Sequence, residues 1–212
     1  MSIEENLEKI LEVTKNYNPV IIAVTKYYDN NRMLEAYRCG LRHFAESKAQ
    51  DALEKINRID DTVKSQSIYH FIGHLQTNKV KYVVGNFDYI HSVDSLKLAR
   101  CIDSEANKKG VVQKILIQVN NAQESQKFGV NPKELDNLIE EISKLKFVSL
   151  EGLMNIAPLC NDAKKLQMLF SEMRELKEKF KLKELSMGMS KDYKIALEEG
   201  ATMIRLGTIL FN

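Results

Sequence analysis

The chain has 212 residues, of which 44% are hydrophobic and 28% charged, with 31 basic against 29 acidic side chains. This length and composition are typical of a globular protein with a sizeable core and exclude a disordered chain. The formal net charge of +2 gives no electrostatic reason to expect binding to nucleic acid or to an acidic membrane surface.

Short apolar segments alternate with amphipathic ones along the chain. Residues 3–17 carry apolar side chains at helical spacing and predict a first helix. Eight segments have strand character: residues 20–24, 43–46, 68–73, 89–93, 114–120, 147–154, 184–187 and 203–206. The helices predicted between them include residues 32–39, 47–59, 77–84 and 162–180, and one that starts near Pro132.

Alternation of strands and helices implies a parallel sheet with helical crossovers. Eight strands favour a closed (β/α)8 TIM-like barrel over an open doubly wound sheet. The chain ends just after the eighth strand, which leaves no room for an eighth helix. The amino-terminal helix is therefore expected to cover that part of the barrel wall. No linker or low-complexity segment interrupts residues 1–212, which are predicted to form a single domain.

The chain shows no targeting or membrane signal. It lacks the basic start and apolar run of a secretory signal and any stretch of about 20 apolar residues. Cys39, Cys101 and Cys160 are far apart, which is typical of reduced thiols, so we expect a cytoplasmic protein. His70 and His74 have metal-ligand spacing, but the residues between them predict strand and turn, so no metal site is expected.

Lys26 is the first candidate functional residue. In a barrel of this kind, functional groups lie at the carboxyl ends of the strands. Lys26 follows the first strand, where partial burial would disfavour its ammonium form and leave an amine able to attack an aldehyde. A lysine whose side chain simply extends into solvent is the alternative, and position alone favours it.

Small residues at the ends of strands seven and eight make a functional role of Lys26 the favoured interpretation. They are Ser186, Gly188, Ser190, Gly207 and Thr208. Loops at these positions frequently bind phosphate through backbone N–H groups, although each glycine could serve only a tight turn. A phosphate-bearing aldehyde would account for both loops and for Lys26, and pyridoxal phosphate is such a molecule.

Arg205 lies near the end of strand eight, beside strand one in a closed barrel. Because an arginine does not release its proton, one that faces a pyridine nitrogen would keep that nitrogen unprotonated. The ring would then be a weaker electron sink. A structural ion pair with a helix carboxylate is the alternative, and spacing does not decide between the two.

Several longer motifs carry a family resemblance. The most specific are HFIGHLQTNK from His70, GLMNIAP from Gly152, LSMGMS from Leu185 and EEGATMIRLGT from Glu198, accompanied by AVTK ending at Lys26 and KFG starting at Lys127. On these motifs the chain resembles the pyridoxal phosphate homeostasis proteins, the YggS/PROSC family, over almost its whole length.

The resemblance implies a barrel similar to the N-terminal domain of alanine racemase, with pyridoxal 5′-phosphate held as an imine on Lys26. It implies Arg205 at the pyridine nitrogen. The other residues that it implies around the cofactor are Ser186, Gly207 and Thr208 at the phosphate, with Met154, His74, Ser47, Gly188 and Ser190 nearby. Lys127 could receive the aldehyde during transfer. Family members look like carriers that buffer the cofactor and deliver it to apoenzymes, with little or no turnover.

The chain departs from the family pattern in three places. Tyr28 stands where many members have a second lysine, and Ser47 stands where they have an asparagine. The carboxyl-terminal extension of other members is also missing. Near the ring, Ser47 would therefore offer a hydroxyl group in place of the asparagine amide.

Two other functions compete with a carrier. A low-activity amino-acid racemase would need an acid/base group on each face of its intermediate, and Lys26 supplies only one. A barrel that binds a sugar phosphate would leave Lys26 unexplained. The charge-rich helix over residues 162–180 is expected to face solvent, which favours a monomer.

Overall fold

Eight parallel strands form a closed barrel in chain order, with β8 pairing back to β1. The computed structural model describes residues 2–124, 126 and 128–212. The strands are β1 Val20–Val24, β2 His43–Glu46, β3 Ile68–Phe71, β4 Tyr89–Val93, β5 Gln113–Val119, β6 Val148–Asn155, β7 Glu184–Met189 and β8 Met203–Leu206. The predicted (β/α)8 barrel is confirmed, and the open doubly wound sheet is excluded.

Helices surround the barrel. They are α1 Ile3–Thr14, α2 Asn30–Arg38, α3 Ala49–Asn57, α4 Asp61–Ser65, α5 Val80–Val83, α6 Leu96–Lys109, α7 Leu135–Ser143, α8 Ala163–Lys179, α9 Tyr193–Glu198 and α10 Thr208–Phe211, with 3-10 turns at Thr77–Lys79 and Pro132–Glu134. None of these described helices is long and apolar enough to cross a lipid bilayer.

The amino-terminal helix α1 starts at a capping box. The Ser2 hydroxyl accepts from the Glu5 backbone N–H at 3.1 Å, and the Glu5 carboxylate accepts from the Ser2 N–H at 3.0 Å. These two bonds satisfy amide groups that a helix start otherwise leaves without partners. The apolar face of α1, which includes Ile3, Leu7 and Ile10, is buried in the main apolar core, and the helix packs beside α2 and α10.

The chain does form a helix after β8, so the expectation of none was wrong. This helix, α10, has only four residues, and α1 packs beside it. The Asn6 amide donates to the carbonyl oxygens of Leu210 at 3.2 Å and Asn212 at 3.0 Å. A helix of one turn leaves carbonyl groups without intrahelical donors. The Asn6 amide of α1 donates the hydrogen bonds that two of these carbonyl groups need.

Apolar side chains pack between the barrel and its helices, and a row of polar side chains crosses the barrel interior beside a small apolar cluster. Large apolar side chains such as Phe44, Phe71 and Phe170 are buried in the main apolar core. Inside the barrel, His91 of β4 lies 3.0 Å from Ser186 of β7. Since β4 and β7 are not neighbours in the sheet, this contact crosses the interior. This row of polar side chains lies below the carboxyl ends of the strands, where the candidate site lies.

Candidate functional site

Lys26 lies in the turn after β1, two residues beyond the last strand residue, Val24. Its side chain is exposed, and Nζ lies 4.9 Å from the centre of the Tyr27 ring. The expectation of a partly desolvated lysine was therefore wrong, because Lys26 lies in the turn after the strand and this turn carries it out of the barrel. The amine is accessible at the carboxyl-terminal mouth.

The turn that carries Lys26 is held by Lys55 of α3. The Lys55 ammonium donates to the carbonyl oxygens of Thr25 and Tyr28, both at 2.8 Å, and to Oε1 of Glu46 at 2.6 Å. The Thr25 hydroxyl donates to the same carboxylate oxygen at 2.7 Å. Only 14% of the Lys55 side chain and 8% of the Glu46 side chain are exposed. All three ammonium N–H groups can thus be satisfied, and the turn is fixed on both sides of Lys26.

The seam between β1 and β8 brings Gly207 next to this turn. Ala23 pairs with Leu206, so the residues that follow each strand lie side by side. A Cβ atom on Gly207 would lie 3.7 Å from Cβ of Val24. The structure therefore brings the loop after β8 close to Lys26, as a closed barrel requires.

Two backbone N–H groups converge on one oxygen at this seam. The Ser190 hydroxyl oxygen accepts from the N–H of Gly207 at 3.4 Å and of Ile209 at 3.3 Å. Both hydrogen bonds are long, and the hydroxyl that accepts them is neutral. An anionic oxygen in the same place would accept shorter and stronger hydrogen bonds from the two N–H groups. Thr208, between the two amides, is exposed. The arrangement can bind a phosphate oxygen through backbone N–H groups.

Gly188 shapes the loop after β7, and its replacement by alanine is expected to destabilise the fold. Its φ is +88°, and an added Cβ would lie 2.6 Å from Cβ of Ala196 and 2.9 Å from Cα of Tyr193. Strain and overlap together should lower the free energy of unfolding by about 3 kcal/mol, measured by urea denaturation.

Gly40→Ala is the matched control, because Gly40 also has a positive φ, +98°, but among the described residues no atom lies within 4 Å of the added Cβ. Only the conformational strain remains there, with an expected loss of about 1 kcal/mol. Equal losses in the two variants would show that the space around Gly188 is not what requires a glycine.

Arg205 is buried inside the barrel with neutral partners. Its Nη1 donates to the Ser186 hydroxyl oxygen and its Nη2 to the Asn155 carbonyl oxygen, both at 2.7 Å. Burial lowers the pKa of Arg205 to about 10, against the opposing effect of nearby Asp192, so the guanidinium is charged at neutral pH. No carboxylate of the described residues forms an ion pair with Arg205, which contradicts the alternative of a structural ion pair.

Ser186 does not join the loops at the seam. It is fully buried and contacts Arg205 and His91, whereas Ser190 contacts the amides of Gly207 and Ile209. The two serines were predicted together from one motif, but they lie four residues apart on either side of the Gly188 bend. Met154 is fully buried on β6 and pairs in register with Ser186.

Ser47 and His74 lie at the ends of β2 and β3 and line a cavity of about 220 Å³. An added Cβ on Gly73 would lie 2.1 Å from the Ser47 carbonyl oxygen, so the close approach of the two chains requires a glycine. The His74 ring stacks on Phe128 with centroids 3.7 Å apart, and its Nδ1 lies 3.5 Å from Asp94. Lys127, the candidate transfer residue, lies outside the described residues.

Three histidines of the interior were missed as a group by sequence reasoning. His43, His70 and His91 connect end to end, with 2.9 Å between His43 Nδ1 and His70 Nε2 and 2.8 Å between His70 Nδ1 and His91 Nε2. His74 is not part of this group and has Phe128 and Asp94 as its neighbours. The sequence could have indicated this group, because each of the three histidines falls within a predicted strand of the barrel.

Acidic pH is expected to destabilise the fold through two of these rings. Burial lowers the pKa of His70 and His91 well below 6.5, and the Arg205 charge adds to this effect at His91. In the unfolded chain both rings bind protons as the pH falls through about 6.5. The unfolded state then binds more protons than the folded state. The free energy of unfolding therefore decreases as the pH decreases, by up to about 1.4 kcal/mol per pH unit for each ring.

Urea denaturation at pH 7.5, 6.5 and 5.5 measures this slope. Because carboxylates also titrate at acidic pH, the His91→Gln variant provides the comparison. Its unfolding free energy should change less steeply between pH 6.5 and 5.5 than that of the wild type. Parallel slopes would show that His91 accepts a proton in the folded chain about as readily as in the unfolded one.

The chain is similar to known proteins over its whole length. The family model for the alanine racemase N-terminal domain matches residues 1–212. A pyridoxal phosphate homeostasis protein of Aquifex aeolicus is 39% identical over 98% of this chain and 87% of its own length.

Solved structures extend the match. PipY of Synechococcus elongatus, in a structure with PLP bound, is 38% identical, covers 100% of both chains and superposes with a TM-score of 0.91. An alanine racemase of Clostridium difficile is 18% identical over 97% of this chain and 56% of its own, with a TM-score of 0.74, and shares the fold. The chain therefore belongs to the alanine racemase N-terminal domain family and, within it, to the pyridoxal phosphate homeostasis proteins.

Proposed function

We propose that residues 1–212 form a single cytoplasmic barrel domain that holds pyridoxal 5′-phosphate as a Schiff base on Lys26. The protein buffers this cofactor and delivers it to apoenzymes, with little or no turnover of its own. The observation that carries the proposal is the seam between β1 and β8. There the turn that carries the exposed Lys26 follows β1, and the neighbouring strand β8 leads into Gly207, whose amide and that of Ile209 share one oxygen of Ser190.

The residues at the seam fit the two reactive ends of this cofactor. Gly207, Ile209, Ser190 and the exposed Thr208 would hold the phosphate, and Lys26 would hold the aldehyde. PipY, 38% identical over its whole length, is described with PLP bound, which supports this assignment. In the proposal Ser186 supports Arg205 and does not contact the phosphate.

Arg205 is proposed to meet the pyridine nitrogen. Two of its five N–H groups are used by Ser186 and Asn155, and within the described part of the chain the other three have no hydrogen-bond partner. When bound, pyridoxal phosphate supplies an electron sink for amino-acid chemistry. A permanent donor such as Arg205 leaves the ring nitrogen unprotonated and weakens that sink. This favours storage of the cofactor over catalysis.

The open mouth of the barrel suits release as well as capture. Lys26, Tyr27 and Thr208 are exposed, and 82% of Tyr27 is accessible. Water, amines and apoenzymes can therefore reach the amine of Lys26 without opening a lid. The relatives' name, pyridoxal phosphate homeostasis protein, supports the same role.

Cofactor transfer tests the proposal. Purified protein is loaded with pyridoxal phosphate, which should produce a visible imine band, and is then mixed with an apoenzyme whose activity reports the arrival of cofactor. Activation should be faster than the rate at which the cofactor is lost to a small-molecule scavenger. Activation no faster than that loss would overturn delivery, and no imine band in the wild type would overturn the cofactor assignment itself. Borohydride-reduced protein is the control, because its cofactor is covalently fixed.

The same loaded protein tests the alternative of a low-activity racemase. Incubation with L-alanine should leave it unracemised on the time scale in which the apoenzyme is activated. Accumulation of D-alanine at a comparable rate would favour the enzyme over the carrier.

A further inference from the structure

The three interior histidines form a continuous chain from one mouth of the barrel to Arg205. His43 is the first residue of β2, half-buried at the amino-terminal mouth. From it the chain passes through His70 and His91, and then over 3.0 Å from His91 Nδ1 to the Ser186 hydroxyl. His70, His91 and Ser186 have no exposed surface. Every link joins side chains of different strands, so the chain crosses the interior.

The donors and acceptors of this chain allow one direction only. Arg205 has no acceptor atom, so it must donate to the Ser186 oxygen. The Ser186 hydrogen then needs an acceptor, and in the described structure the one within hydrogen-bond distance is His91 Nδ1. A buried hydroxyl without an acceptor would carry the cost of an unmade hydrogen bond.

The direction of the first link fixes the tautomer of each ring in turn. Because His91 accepts at Nδ1, its proton is on Nε2 and is donated to His70 Nδ1. His70 then carries its own proton on Nε2 and donates it to His43 Nδ1. All three neutral rings therefore hold the proton on Nε2. In such a series each hydrogen bond polarises the next, and the positive charge of Arg205 polarises the Ser186 hydroxyl at the start of the series.

The charges around the chain agree with neutral rings. Burial lowers the pKa of all three histidines, and Arg205 adds to this at His91. At His43 the effect is opposed by Asp88 and Glu184, the carboxylates that act on it. The Tyr89 ring stacks on His70 with centroids 5.0 Å apart and has Lys114 above it.

We propose that His43, His70 and His91 are positioning residues for Arg205, which act by fixing the Ser186 hydroxyl with its oxygen towards the guanidinium. The amino-terminal mouth of the barrel, opposite Lys26, thereby contributes to ligand binding. The part of the ligand concerned is a hydrogen-bond acceptor that meets Arg205, such as a heteroaromatic ring nitrogen. The identity of this acceptor rests on the proposed function, whereas the tautomers do not.

A matched pair of variants at His43 separates positioning from packing. The glutamine side chain in His43→Gln keeps an amide oxygen that can accept from His70 Nε2. The leucine side chain in His43→Leu has no acceptor, so the His70 proton loses its partner and the chain can reverse or become mixed. Ser186→Ala breaks the other end of the chain and serves as a second variant if His43→Leu does not fold.

Ring nitrogen-15 NMR at pH 7.5 tests the chain without any ligand. The wild type and His43→Gln should show His70 and His91 protonated at Nε2 alone, and His43→Leu should show a mixture at His70. A proton on Nδ1 of His91 in the wild type would overturn the proposal. So would unchanged tautomers in His43→Leu.

Ligand binding tests the consequence. The probe is 4-deoxypyridoxine 5′-phosphate, which has the ring and phosphate but no aldehyde, so binding does not require Lys26. Its affinity should fall about threefold to tenfold in His43→Leu and Ser186→Ala and should be retained in His43→Gln. Inorganic phosphate, which needs only the seam amides, should bind all variants equally.

The outcomes separate this inference from the proposed function. Positioning through Arg205 would be overturned by an equal fall in affinity for both probes. It would also be overturned if the affinity for 4-deoxypyridoxine 5′-phosphate did not fall. Failure of the wild type to bind the ring compound would overturn the proposed function, while the tautomers would still decide whether the chain has the direction inferred here.

Discussion

Replacing Lys26 with alanine is expected to abolish the visible band that the wild type develops with pyridoxal phosphate. The variant should also lose the covalent adduct that borohydride leaves, measured by intact-protein mass spectrometry. The reason is that Lys26 carries the exposed amine in the turn beside the Gly207 loop. The loss should be essentially complete, because in the proposal Lys26 is the residue that forms the covalent bond with the aldehyde. Stability should change little, since surface substitutions usually cost less than about 0.5 kcal/mol.

The matched control is Lys48→Ala, which replaces an exposed lysine after β2 whose ion pair with Asp51 lies on the surface. This variant should keep the full band and adduct. A band that survives in Lys26→Ala would contradict the assignment and point to another lysine, with Lys127 the next to replace. Binding of inorganic phosphate should persist in Lys26→Ala, which separates loss of the covalent bond from loss of the phosphate site.

The strands were predictable because they are short apolar runs bounded by polar turn residues. Predicted and observed bounds coincide for β1, β2, β4 and β8. β3 ends two residues earlier than predicted because Gly73 has left the sheet to lie against the Ser47 carbonyl. α4 and α9 were not predicted, since five and six residues are too few to show a helical period.

The positions of the candidate residues were also predictable, but their contacts were not. The rule that functional groups follow barrel strands located Lys26, Gly207 and Arg205. It cannot tell which side chains meet across the interior, because such contacts join distant residues, as with His91 and Ser186, which are 95 positions apart. The resemblance implied Ser186 at the phosphate with Gly207 and Thr208, whereas in the structure Ser186 contacts His91 and Arg205. Lys55 was missed because its helix reaches the Lys26 turn only in the folded barrel.

Removing the charge of Lys55 is expected to have a large effect on stability. In Lys55→Met the Glu46 carboxylate remains buried without its cation, and the carbonyl groups of Thr25 and Tyr28 lose their shared donor. Breaking a buried pair from one side typically costs about 3 to 5 kcal/mol. The free energy of unfolding, measured by urea denaturation, should therefore fall by about 3 kcal/mol.

The double variant Lys55→Met/Glu46→Gln separates charge from packing. Glutamine removes the uncompensated charge but can still accept from the Thr25 hydroxyl, so part of the lost stability should return, with a coupling of about 1 to 3 kcal/mol. Lys48→Met provides the surface comparison, because its pair with Asp51 is 75% and 73% exposed and should contribute less than about 1 kcal/mol. A double variant less stable than Lys55→Met would show that the buried charge is not the main cost.

The same variants connect stability with function at Lys26. The Lys55 ammonium is bonded to the carbonyl groups before and after Lys26 and Tyr27, so its loss should let the turn sample other conformations. We expect the imine band to form more slowly in the double variant than in the wild type, even where both are fully folded. Binding of inorganic phosphate at the seam should be unchanged, because Gly207 and Ile209 belong to the other strand end. An unchanged rate would mean that the turn keeps its shape without Lys55, and the buried pair would then serve stability alone.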